Sequence, residues 1–282
     1  MRADAWLNPN HASIDVPTAL TAYRRDGYVH LPGVVSAEGL STLRARAYDL
    51  MHGGLDHTPF FYQADAATGL YEDMPLGKGW IGPSDTYRKL EKLERDPVFM
   101  SFLQNDLFAR IARTAIPQTD IHLYRAILMN KRAGSSEAPG GTLLPWHQDA
   151  GRLWGLSADP ELQIWTALDD APLEAGSMRF CRGSHLWGLA TTLGGAVPPA
   201  VAAERQDTLD VVSVPVAAGD VVILHNLVWH ASDLNTTPHP RRGLSVCLMP
   251  ASTRCMRKKK TPRTFPLAFS AAPDGPQHRT NA

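Results

Sequence analysis

The sequence predicts a β-rich α+β fold, a sandwich or barrel with helices packed outside one sheet. Two observations carry this expectation. Helical signals dominate up to about residue 118, and from about 119 to 250 short runs of alternating or β-branched residues follow one another between turn-forming pairs. The length, 282 residues, suits a single domain with a helical part (about 1–118), a β core (about 119–250) and an extension (about 251–282).

Val16 to Asp26 reads as a helix closed by Gly27, and Tyr28-Val-His-Leu31 as a strand. Ser36 then reads as an N-cap with Glu38 in the first turn, and Leu40, Leu43, Ala47 and Leu50 recur on one helical face. From Met51 to Ser84, glycines and prolines interrupt a stretch holding Phe60, Phe61, Tyr62, Tyr71 and Trp80, a long aromatic loop that is either a lid or satellite core. Helical patterning returns from Asp85 to about Ala115, broken near Asp96-Pro97 and Asn105. Strands are expected at Ile121–Met129, Leu162–Leu168, Ser177–Cys181, Leu209–Val216, Val221–His225 and Leu244–Leu248, with turns at Glu174-Ala-Gly176, Arg182-Gly183 and Gly219-Asp220. The uncharged stretch Leu186–Ala203 is broken by Gly and Pro and reads as a loop, and the polar tail Ala271–Ala282 as frayed.

With 28 basic and 28 acidic side chains the chain is formally neutral, which argues against a nucleic-acid binder, since displacing counterions from phosphates takes a basic excess. Cys181, Cys247 and Cys255 form no CxxC pair and suggest neither a disulfide scaffold nor a zinc ribbon. The N-terminus lacks a secretory pattern and no membrane segment is read, so a soluble cytoplasmic protein is expected. Composition leaves the eleven histidines unexplained.

Two of them suggest chemistry. In the extended stretch Leu144-Pro-Trp-His-Gln-Asp149, alternate side chains share a side, so His147 and Asp149 suit two adjacent positions on one metal. His230, from a distant strand, completes two histidines and a carboxylate and leaves the opposite face of the metal open. That set with open positions marks non-haem Fe(II) oxygenases, although zinc accepts the same donors. Arg241 follows a turn containing Pro238 and Pro240, and its fork suits the far carboxylate of a keto acid whose other end chelates the metal, the layout of a 2-oxoglutarate site. Strand alternation turns only one of Arg241 and Arg242 inward, and the spacing favours Arg241.

Several segments together resemble the phytanoyl-CoA dioxygenase family of Fe(II)/2-oxoglutarate oxygenases. They are Trp146-His-Gln-Asp149, Gln163-Ile-Trp-Thr-Ala-Leu-Asp-Asp170, Glu174-Ala-Gly-Ser-Met178, Arg182-Gly-Ser-His185, Gly219-Asp220, His230-Ala-Ser232 with Asn235, and Arg241. Asp26-Gly-Tyr-Val-His-Leu-Pro-Gly33 and Lys92-Leu-Glu-Arg-Asp-Pro-Val-Phe99 extend the likeness, while Ala175 and Arg182 depart from the family's usual Glu-Asn-Gly and Pro-Gly-Ser-His. The resemblance implies a double-stranded β-helix, or jelly-roll, core with His147, Asp149 and His230 as iron ligands. It also implies Arg241 and Ser232 on the far carboxylate of 2-oxoglutarate, Trp165 beside that cosubstrate, and Lys89 and Ile127 in contact with it. Fe(II), 2-oxoglutarate and O2 are the implied cofactors, and the implied reaction is hydroxylation of a C–H bond in a small organic molecule, whether secondary metabolite, amino-acid derivative or acyl compound. Desaturation, epoxidation and ring formation use the same cofactors, whereas the Asp149 carboxylate disfavours halogenation. Readings of another class are a catalytically silent binding module and a zinc or manganese hydrolase or isomerase, the latter having no need of Arg241.

The remaining histidines read as structural. His225 faces away from the metal in a regular strand, His185 closes a turn, and His30 and His122 lie in strand-like runs. Trp146 and Trp154 either line the substrate cavity or pack the core. The run Arg254–Arg263 carries six positive charges and no negative one, and reads as solvated surface or as an anchor for an acidic substrate.

Overall fold

The computed structural model describes residues 5–77, 79–258 and 260–271, so the expected frayed tail beyond Ala271 lies outside the described residues. In chain order the elements are α1 (Val16–Asp26), β1 (Tyr28–Leu31), α2 (Ala37–His52), β2 (Phe61–Ala64), β3 (Tyr87–Glu91), α3 (Pro97–Leu103), α4 (Asp106–Ala115), β4 (Ile121–Lys131), β5 (Leu144–Gln148), β6 (Leu162–Ala167), β7 (Met178–Cys181), β8 (Gly195–Ala196), α5 (Pro199–Glu204), β9 (Val211–Val214), β10 (Val221–His225), β11 (His230–Ser232), β12 (Arg241–Pro250) and β13 (Leu267–Phe269).

The first four helices begin at side-chain caps. Asp15, Ser36, Asp96 and Asn105 each accept an amide hydrogen bond from the first turn of α1, α2, α3 and α4 respectively, satisfying donors that a helix start otherwise leaves bare. Gly27 closes α1 at φ 84°, a left-handed conformation that suits glycine.

The strands form two antiparallel sheets. The larger runs β1-β10-β6-β12-β4-β3-β2, with β13 also paired to β4, and the smaller runs β8-β5-β11-β7-β9. Alternation along the central strands shows what each face covers. In β6 and β10, Leu162, Ile164, Val221 and Ile223 join the helix-side core with Leu20, Leu43, Phe99 and Phe108. Trp165, Ala167, Val222 and Leu224 face the other way and pack with Met178 and Phe180 of the smaller sheet. All six residues of β6 are buried, as expected of a strand covered on both faces. This is the jelly roll, with helices outside the large sheet and a cavity between the two sheets.

One expectation is overturned. The stretch 85–92 is not helical: Tyr87–Glu91 is a strand between β2 and β4, with Lys89 opposite both Gln63 and Met129, and only a 3-10 turn at Leu93–Arg95 follows it. Leu90 enters the helix-side core while Lys89 lines the cavity, the two-residue period of a strand, and ladder pairing on both edges outweighs local helical spacing. The first 118 residues are therefore not uniformly helical, since β1, β2 and β3 all extend the large sheet. The 186–203 stretch also holds β8 and part of α5. No described helix is long and apolar enough to cross a membrane.

Candidate active site

His147 of β5 and His230 of β11 are direct partners in the register of the small sheet, which brings their ring centroids to 4.0 Å. Asp149 lies just past β5, where its amide donates to the Asn226 carbonyl (2.8 Å) and its carbonyl accepts from the Asn226 side chain (2.9 Å). One donor atom from each of His147, Asp149 and His230 lies within 4.8 Å of the others. The Nδ1 of His147 meets the Pro145 carbonyl at 2.8 Å and that of His230 meets the Val228 carbonyl at 3.0 Å. Carbonyls only accept, so each Nδ1 carries the proton and each Nε2 keeps its lone pair for a shared centre.

Burial, and then the neighbouring His230, pushes His147 down to about 3. Burial alone would raise the Asp149 carboxyl, but the Arg125 guanidinium, the two imidazoles and the Gln163 amide hold it well below the usual carboxylate range. Arg125 Nη2 sits 3.3 Å from Asp149 Oδ1, and Gln163 donates to Oδ2 at 3.0 Å. Two imidazoles turned with Nε2 toward one point and an ionised carboxylate beside them, bordering a cavity, fit a divalent iron.

A cavity of about 310 Å³ opens over this cluster. Arg241 enters it from β12 with its guanidinium 4.9 Å from the Trp165 ring centroid, whereas Arg242 turns outward to grip Asp169 at 2.7 and 3.0 Å. Arg241 Nε and Nη2 and the Ser232 hydroxyl are buried without a hydrogen-bond partner. Burial lowers Arg241 to about 10. Leaving such groups unsatisfied costs about 1–3 kcal/mol each or more, so the pocket is built for an acceptor it does not itself contain.

The other expected residues divide. Lys89, Ile127 and Trp165 line the cavity. Trp154 lines it too, stacked on Tyr124 at 4.9 Å and holding the Arg125 guanidinium at 4.0 Å, but Trp146 packs beside Trp229 and Val197 instead. In the aromatic loop Phe60 and Tyr62 are core, while Gln63, Tyr71 and Met74 line the cavity. His30 bonds to Asp220 (2.7 Å), His185 to the Arg24 carbonyl (3.0 Å), and His225 accepts from the Leu227 amide (3.1 Å), all away from the cluster. Arg257 and Arg263 of the basic run donate to the carbonyls of Leu153 and Tyr124, tying that segment to the outside of the cavity wall.

Sequence reasoning passed over Arg125, Gln163 and Asn226. For Arg125 and Gln163 the signal is a polar side chain among apolar neighbours in a strand, two before Ile127 and two before Trp165, whereas Asn226 lies in the turn after β10 and has no such signal.

Burial also lowers His225, to about 4. With both His147 and His225 depressed below the ordinary 6.5, the unfolded chain takes up protons first as pH falls. Their contribution is complete above about pH 6.5 and is lost as pH drops toward 4 for His225 and toward 3 for His147. Urea denaturation of the metal-free protein should therefore show stability lower at pH 5 than at pH 7.5 by on the order of 4 kcal/mol, about 2 from each histidine.

Residues 23–243 match the profile of the family described as Phytanoyl-CoA dioxygenase (PhyH). The chain belongs to the phytanoyl-CoA dioxygenase family. A Bos taurus relative, Phytanoyl-CoA dioxygenase domain-containing protein 1, is 24% identical over 271 residues, covering 84% of this chain and 90% of its own. Among solved structures, the epimerase SnoN in complex with Fe3+, alpha ketoglutarate and nogalamycin RO shares 22% identity at a TM-score of 0.67, over 93% of this chain and 96% of that one. EctD from S. alaskensis with 2-oxoglutarate and 5-hydroxyectoine shares 19% identity at a TM-score of 0.66, over 95% of this chain and 88% of that one. At these identities the structural likeness bears on the fold, and it agrees with the jelly roll. The phytanoyl-CoA dioxygenase family is one of Fe(II)/2-oxoglutarate-dependent oxygenases, and this member carries the His-x-Asp and distant His expected of it.

Proposed function

We propose that this member of the phytanoyl-CoA dioxygenase family is an Fe(II)- and 2-oxoglutarate-dependent dioxygenase that hydroxylates a C–H bond of a small organic molecule. We further propose that residues 1–282 form one such domain, working in the cytoplasm, where the free Cys181, Cys247 and Cys255 stay reduced. One observation carries the reading: a donor triad suited to iron shares its cavity with a buried guanidinium and a hydroxyl that have no partner. A zinc or manganese hydrolase would leave those groups without an acceptor.

His147, Asp149 and His230 would hold Fe(II), and Arg241 with Ser232 would hold the far carboxylate of 2-oxoglutarate, with Trp165, Ile127 and Lys89 shaping its place. When bound, iron and 2-oxoglutarate couple O2 to oxidation of a C–H bond, giving succinate, carbon dioxide and an alcohol. The chain supplies position and environment. Gln163 and Arg125 orient the Asp149 carboxylate, Asn226 fixes its backbone, and the Pro145 and Val228 carbonyls set the two imidazoles. The two sheets keep water from the reacting centre.

Anaerobic addition of Fe(II) and 2-oxoglutarate is expected to produce a weak visible charge-transfer band, and admitting air should release succinate. A protein that shows neither overturns the reading. Product mass then separates hydroxylation, which adds one oxygen, from the epimerisation named for SnoN, which leaves mass unchanged, and from desaturation or ring closure, which removes two hydrogens.

Gly243 offers a subtler check. A Cβ there would overlap the indole of Trp165 on the neighbouring strand. Gly243→Ala therefore displaces Trp165, whose ring lies 4.9 Å from the Arg241 guanidinium, and calorimetry should find 2-oxoglutarate bound about tenfold more weakly, roughly 1.4 kcal/mol, with Fe(II) affinity unchanged.

A further inference from the structure

Most cations lining the cavity are already engaged. Lys89 lies 2.7 Å from Glu91, Arg125 lies 3.3 Å from Asp149, and Arg241 presents the edge assigned above to 2-oxoglutarate. Arg88 is the exception. Only 7% exposed, it has no acidic partner among the described residues, and its one hydrogen bond runs from Nη1 to the neutral Oε1 of Gln63 at 3.1 Å. On its other side it shares a small void with Arg241, a like charge, and with Lys131, whose charged form burial and the two guanidinium groups disfavour. Asp65, Asp149 and Glu91 act on Arg88 only from beyond salt-bridge distance, and a buried guanidinium without a directly paired charge is costly unless a ligand brings one.

The backbone shows how Arg88 reaches the cavity. Strict alternation along β3 would put Arg88 and Lys89 on opposite faces. The register slips opposite them, however: Gln63 pairs with Lys89 and Ala64 with Tyr87, which leaves Arg88 as the extra residue of a bulge. A bulge re-aims a side chain, and here both consecutive cations line the cavity that holds His147 and Asp149.

We propose that Arg88 is a specificity residue that binds the carboxylate of an acidic substrate through the Nε–Nη2 edge left free by its bond to Gln63. The inference rests on the oxygenase reading and adds the substrate class to it. A planar fork presents two parallel donors to a planar carboxylate. A divalent metal and a doubly charged keto acid together would add no net charge, so with Arg125 facing Asp149 the Arg88 guanidinium would still lack a directly paired anion. Tyr71, Met74 and Leu153 lie around the same cavity and give the acid an apolar surface on which to rest its body.

The test uses protein loaded with Mn(II) in place of Fe(II) and saturated with 2-oxoglutarate, so that nothing turns over. Calorimetry compares straight-chain carboxylates from butanoate to decanoate with their amides. At least one carboxylate is expected to bind ten- to a hundredfold more tightly than its amide. Arg88→Gln should remove that difference, and Arg88→Lys, which keeps the charge but not the fork, should restore only part of it. Equal binding of acid and amide, binding of neither series, or an Arg88→Gln loss confined to 2-oxoglutarate affinity overturns the proposal. Titrating 2-oxoglutarate alone separates the two failures. If it does not bind, the oxygenase reading falls; if it binds and no carboxylate is preferred, only the substrate class falls.

Discussion

Arg241→Leu is expected to raise the Kd for 2-oxoglutarate at least a hundredfold while Fe(II) binding persists. A bidentate, charge-assisted contact in a buried pocket is worth about 3 kcal/mol, which is roughly that factor. The control against misfolding lies in the same geometry. Arg241 is 4% exposed and two of its nitrogens have no partner, so an apolar side chain there removes an unsatisfied charge from the ligand-free protein. The thermal midpoint of the empty variant should hold or rise even as the cosubstrate is lost. Ser232→Ala, which removes one neutral hydroxyl, should cost only about a fewfold by the same titration. An unchanged Kd in Arg241→Leu would remove this residue from the cosubstrate site.

Asp149→Asn should have the largest effect on the metal. The amide keeps the shape of the carboxylate but brings no charge, so Fe(II) binding and succinate release should both vanish. Stability should change in the opposite sense to Arg241→Leu, because Arg125 loses the only acidic group within salt-bridge distance of it among the described residues. Breaking a largely buried pair from one side costs on the order of 3 kcal/mol, readable as a lower urea midpoint in metal-free protein. A variant that binds Fe(II) as before would show that the carboxylate is not a ligand.

What the sequence disclosed depended on how local each signal was. His147 and Asp149 could be paired on paper because alternation within one strand needs no tertiary information, and the split between Arg241 and Arg242 follows from the same rule. Strands β6 and β10 announced themselves through runs of large apolar residues, the mark of burial on both faces. Arg125, Gln163 and Arg88 gave no such notice. A polar side chain in a strand reads by default as solvent-facing, and only the register of β4, β6 and β3 in the large sheet turns these three toward the cavity. Strand β3 itself was misread for a related reason. Leu90 and Leu93 repeat at helical spacing, and nothing within the segment reveals the two partner strands that claim it.

The two walls of the cavity are held with unequal firmness. Arg241, Trp165, Arg125 and Gln163 stand on the large sheet, whose central strands are sandwiched between the helices and the smaller sheet. His147 and His230 ride on the smaller sheet, where β11 is three residues long and β8 only two. Ser232, also on β11, lines the cavity shared with Arg241 from that shorter-stranded wall. A metal would therefore rivet two adjoining short strands together, and a keto acid spanning Arg241 and Ser232 would lash those strands to the stiffer wall. Loading the site would in this sense be the last stage of the protein's own maturation, and each group, by immobilising strands the other needs, would prepare the place for its companion.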